Sequence, residues 1–173
     1  MSTFYLQGCD NKNHTLEYFD SIYLPVQELI DLDTEVQESL FGLLVSEDEL
    51  DSLNNNDIDN DSNTAILENQ IDKLKDFVKK QINNLPNITV VDEEENLKYS
   101  YKHLLESYLH EINVTWPKLT AIINSKDISD EDMDFFNELL QQTQFRLDKS
   151  LNQFYDIAEI YAGKHNIEIE KIL

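Results

Sequence analysis

Glycine and proline occur only three times each, too few for the tight turns of a many-stranded sheet protein. Cysteine occurs once, as Cys9, so no disulfide can form within the chain. No charged-then-apolar leader begins the sequence, and no apolar run approaches the ~20 residues needed to span a bilayer. Cations are scarce as well: 13 Lys and Arg face 35 Asp and Glu, a formal net charge of −22. Phosphate backbones and anionic lipid surfaces repel such a chain, and no basic stripe with interleaved aromatics offsets that repulsion. Direct nucleic-acid binding and membrane insertion are therefore not expected, and a cytoplasmic or nuclear location is.

Motifs that carry chemistry are missing too. There is no nucleophile elbow, Gly-rich phosphate loop, HExxH or CxxC. Cys9 stands beside Asp10, whose charge discourages a thiolate. Carboxylates are abundant, yet nothing in their spacing gathers two of them in one apolar cleft for acid–base work. The expectation is a protein that is not an enzyme and needs no cofactor.

What the chain does contain is helical spacing, with 40% of its residues hydrophobic. Met133, Leu140, Leu147, Phe154 and Tyr161 recur every seven residues, and Phe136, Thr143, Ser150 and Ile157 form a companion row. That alternation of three and four is a helix–helix seam. Ser129 can cap the start, Asp130, Glu131 and Asp132 suit the positive end of the helix dipole, and Gly163 offers a stop.

Earlier in the chain, Phe19, Ile22, Val26, Leu29, Asp33, Val36, Leu40 and Leu43 continue the pattern. Pro25 falls inside it, so the main first helix is placed at residues 24–45 behind a shorter piece at 15–23, with one kinked helix as the alternative. Asp33 is a polar residue at a seam position, which can fix register. Residues 46–63 read as an acidic, Asn-rich linker. Residues 64–85 form a second helix whose Lys73, Lys75, Lys79 and Lys80 could lie against the acidic first one. A third opens at Asp92 and carries Tyr101, Leu105, Tyr108, Ile112, Thr115, Leu119 and Ile122, with a kink or break at Pro117. The predicted fold is all-α: extended helical hairpins, a coiled-coil-like bundle of three to four long helices. It divides into an N-terminal helical segment (1–45), the linker (46–63) and a bundle segment (64–173).

Two constellations have ligand spacing. Asp57, Asp59, Asp61 and Glu68 match the first, third, fifth and twelfth positions of a calcium loop, although Ser62 stands where glycine makes its sharp turn. Thirty-five acids make that match easy to reach by chance. His103, Glu106 and His110 share one helix face and could approach zinc, but a solvated face is the simpler reading.

The function expected from this pattern is a non-catalytic adaptor subunit of a larger multi-protein assembly. In outline it resembles small helical subunits of kinetochore, dynactin, tethering or Mediator-type complexes, without a diagnostic motif. The resemblance implies protein partners, hetero-oligomeric rather than homo-oligomeric, held on seams that include Leu29, Val36 and Leu40 and the rows from Met133 to Tyr161. An acidic protein for basic partners such as histones or basic tails, acting through residues 1–61, is the first alternative. A calcium-binding helical protein is the second.

Overall fold

The computed structural model describes residues 7–50, 60–91, 96–125 and 128–169. Helices α1 (Gln7–Leu50), α2 (Asn60–Asn84), α3 (Asn96–Val114), α4 (Trp116–Ile123) and α5 (Asp130–His165) make up about 90% of it, and a 3-10 turn, Leu85–Asn87, follows α2. No strand occurs among the described residues. The all-α expectation holds.

The first helix is one piece, not two: α1 runs through Pro25. Proline there removes the hydrogen bond to the Ser21 carbonyl and costs about 3 kcal/mol. Against that cost, Ile22, Val26 and Leu29 are fully buried on either side of it, each contributing roughly 1.5–3 kcal/mol. Packing outweighs the proline, so the helix continues. The expected linker over 46–63 is also shorter at both ends, since α1 persists to Leu50 and α2 begins at Asn60. That stretch holds no Gly or Pro to halt either helix.

At Pro117 the chain does break. Pro117 takes an early position in α4, where its missing N–H costs nothing. Thr115 bridges the gap: its amide donates to the Glu111 carbonyl at 2.8 Å, and its own carbonyl accepts from Lys118 and Leu119. Trp116 and Leu119 are thereby turned into the core.

Helix α5 begins in a capping box, with the Asp132 amide donating to Ser129 Oγ and the Ser129 amide to Asp132 Oδ2. These bonds from Ser129 hold the Asp132 carboxyl below its ordinary pKa. The stop lies three residues later than expected. Gly163 stays helical, and Asn166 takes the left-handed conformation (φ 54°, ψ 44°) while its amide and that of Ile167 bond the Ala162 carbonyl. Asparagine is the residue after glycine that best tolerates this backbone.

Side-chain pairs give the topology. Tyr101 meets Phe154, Ser107 meets Ser150 and Glu111 meets Arg146, so α3 and α5 are antiparallel. Tyr18 meets Tyr161 and Tyr23 meets Phe154, so α1 is antiparallel to α5 as well. A cavity of about 610 Å³ is lined by His14 and Ser21 of α1 together with Asn84 of α2 and Val91 beyond it. The start of α1 therefore lies beside the end of α2. The helices alternate in direction, α1 packing on α2, α2 on α3 and α3 on α5, and α5 returns to α1 through the aromatic cluster. The hairpin of α1 and α2 is held by its apolar faces: among the described residues no α2 lysine forms an ion pair with α1.

The inner and outer faces of α5 should respond very differently to truncation. Phe154→Ala, in the fully buried row, should cost about 3–5 kcal/mol of unfolding free energy in urea. Phe145→Ala on the outer face should change it by less than ~0.5 kcal/mol. Similar losses at both positions would mean that the helix faces are wrongly assigned.

Candidate functional site

Two polar clusters lie inside this apolar frame. The first surrounds Asp33 on α1, which is buried. Its Oδ2 accepts from Gln37 Nε2 one turn on (2.8 Å) and from Tyr108 Oη across on α3 (3.2 Å). Its Oδ1 is buried without a hydrogen-bond partner. Burial pushes the Asp33 carboxyl up to about 6, against the pull of Gln37 and Tyr108. Burial, followed by the charge of Asp33, raises the Tyr108 phenol well above its ordinary value, so that it remains a donor.

The second cluster joins α3 to α5. Glu111, 2% exposed, receives Arg146 Nε on Oε1 (2.6 Å) and Arg146 Nη2 on Oε2 (2.9 Å). Oε2 also accepts from Thr115 Oγ1 (2.6 Å) and Thr143 Oγ1 (3.3 Å). Burial alone would raise the Glu111 carboxyl; the bonds from Arg146 and Thr115 outweigh it and hold the pKa below the ordinary range. One turn along, Ser150 Oγ donates to Ser107 Oγ at 2.9 Å. Thr143 and Ser150, the polar members of the companion row, thus stand where α3 offers polar partners.

The seam residues lie inward. Phe136, Leu140, Leu147, Phe154 and Tyr161 are buried, as are Leu29, Val36 and Leu40, while Met133 and Ile157 are half-buried against the same core. The seam expected to receive outside partners is occupied by this chain's own helices, because four antiparallel helices can shelter one another's apolar stripes. Of the calcium residues, Asp57 and Asp59 lie outside the described residues. Asp61 and Glu68 belong to α2, with Glu68 exposed. Seven residues of helix separate that pair by about 10 Å along the axis. His103, Glu106 and His110 do share a cavity, of about 450 Å³, between α3 and α5. No metal-ligating group of three or more His, Cys, Asp or Glu occurs among the described residues.

Sequence reasoning missed the Glu111–Arg146 pair. Its partners are 35 residues apart on different helices, and the one available signal is that Arg146 is the chain's only arginine.

These clusters generate two expectations. The folded-state pKa of Asp33, about 6 against an ordinary 3.8, lies above the unfolded value. Its favourable contribution is full below about pH 4 and is lost as pH rises through about 6. Asp33→Asn should therefore stabilise the protein at neutral pH by ~2 kcal/mol and flatten that part of the stability–pH curve. For the ion pair, Arg146→Met leaves a buried carboxylate uncompensated and should cost about 3 kcal/mol in urea unfolding at neutral pH. Glu111→Met leaves a cation that is already 44% exposed, and should cost only ~1 kcal/mol. Equal costs would refute this asymmetry.

No family model matches the chain, and no curated protein or solved structure matches it either, so its function is argued from this geometry alone.

Proposed function

We propose that the chain is a non-catalytic adaptor subunit of a multi-protein assembly, working in the cytoplasm or nucleus and joining protein partners by helix-to-helix contacts of coiled-coil type. The observation that carries this reading is the outward face of α5. There Phe145 (70% exposed) stands opposite the buried rows, and Phe135 (50%) and Ile160 (68%) are exposed on the flanks. The inner stripe of α5 is satisfied by α1, α3 and α4, so any partner helix must lie on the outside. Large exposed side chains on a long helix suit such docking. No described helix is long and apolar enough to cross a membrane, which suits partners in solution.

A second reading, an acidic protein that takes basic partners, is favoured by α1. Glu17, Asp20, Glu28, Asp31, Glu35 and Glu38 fall three, four or eight residues apart, on the face opposite the buried row. Like charges at such spacing each cost roughly 0.2–0.5 kcal/mol. Among these six, only Glu17 has an ion-pair partner, the exposed His14 at 3.5 Å.

One affinity capture, run with the double variant Phe145→Glu/Ile160→Glu and repeated in low and moderate salt, separates the two readings. The adaptor reading expects the variant to fold, keep its helical circular dichroism and lose its partners at both salt concentrations. A folded variant that retains every partner would overturn it. Partners lost from the unmodified protein at moderate salt would assign binding to the acidic face of α1.

A further inference from the structure

The cleft between α3 and α5 reverses the chemical character of the rest of the surface. In a chain of net charge −22, it is lined by the only arginine, Arg146, by two of the four histidines, His103 and His110, and by Lys149. Its buried carboxylate is already engaged. Glu111 accepts from Arg146, Thr115 and Thr143, and the exposed Glu106 faces Lys102 at 3.6 Å. Its donors are not. Arg146 spends Nε and Nη2 on Glu111 and keeps Nη1 uncommitted. Among the described residues, the Lys149 ammonium, the Gln153 amide and both imidazoles, all lining the cleft, have no hydrogen-bond or ion-pair partner. A cavity whose buried carboxylate is compensated and whose donors are idle is suited to an anion.

We propose that this cleft binds a small organic phosphate, its phosphoryl group held by Arg146, Lys149 and His110. The buried Glu111 fixes the guanidinium in plane, so little rotamer entropy remains to be lost on binding. Three donors of different geometry match the several oxygens of a phosphoryl group better than the two of a carboxylate. The volume, about 450 Å³, falls in the range of small-molecule sites. A second hollow of about 330 Å³ shares His103, Ser150 and Gln153 and extends to Ile157 and Asp156. Asp156 would repel a second anion, so the ligand has one charged head and a less polar body directed along the groove. Repulsion from the distant acids is screened beyond about 8 Å at physiological salt.

The test follows the imidazole signals of all four histidines by NMR while hexyl phosphate, inorganic phosphate or hexanoate is added to the full chain at constant ionic strength. The groups facing the phosphoryl position are His103, Glu106, His110 and Glu111 from α3 and Arg146 and Lys149 from α5. Hexyl phosphate should shift His103 and His110 saturably and leave His14 and His165 in place. Inorganic phosphate should bind the same site more weakly. Lys149→Glu, at an exposed position with no ion pair, should keep the fold and weaken binding about tenfold or more. The proposal is overturned by equal shifts at all four histidines, by no saturation, by hexanoate binding as tightly as hexyl phosphate, or by an unchanged affinity in the folded Lys149→Glu protein.

Discussion

Burial of the inner face of α5 is the constraint on which the rest of the molecule depends. Its row from Phe136 to Tyr161 touches three other helices, and its long register sets where each can sit. At one end Tyr18, Phe19 and Tyr23 of α1 stack around Tyr161 and Phe154. At the other, the break at Pro117 lets Trp116 and Leu119 enter the core near Phe136. The 19-residue α3 and the 8-residue α4 together lie along the 36-residue α5.

An apolar interior by itself leaves register loosely determined, because one leucine row fits another at several offsets. The two polar clusters remove that freedom. Tyr108 can reach Asp33 at only one sliding position of α1 on α3, and Arg146 can fork Glu111 at only one position of α5 on α3. The two devices differ in cost. Glu111 is nearly saturated with donors, whereas Asp33 keeps an unpartnered oxygen and a raised pKa. Specificity at Asp33 is therefore obtained at the expense of stability near neutral pH, a trade that buried polar residues can make.

Periodicity made the helices legible because it records which face each one buries, and all ten seam residues do lie on buried or half-buried faces. It does not record what covers that face. A stripe sheltered by the same chain and one sheltered by another protein have identical spacing, which is why the inward rows read as partner-binding seams. Local signals were strong where the physics is local, as at the Ser129 cap and Pro117. They failed at Pro25, where three buried aliphatic residues outweigh one lost hydrogen bond, and at Gly163, where packing of Tyr161 and Ala162 carries the helix on to Asn166. Asp33 stands out as a polar seam residue, but the cross-helix partners in both clusters could not be read in advance, since each comes from a separate helix.

The same contrast between local and assembled features governs charge. Along α1 the acids repeat on one outward face, and their field follows from the sequence alone. Around Arg146 the balance is set by the fold: Thr115 and Thr143 occupy Glu111, Lys102 faces Glu106, and the remaining donors are left without acceptors. Net charge therefore describes the long-range approach of a partner, over distances near the Debye length. Inside a cleft, the count of unspent donors matters more than the total charge of the chain.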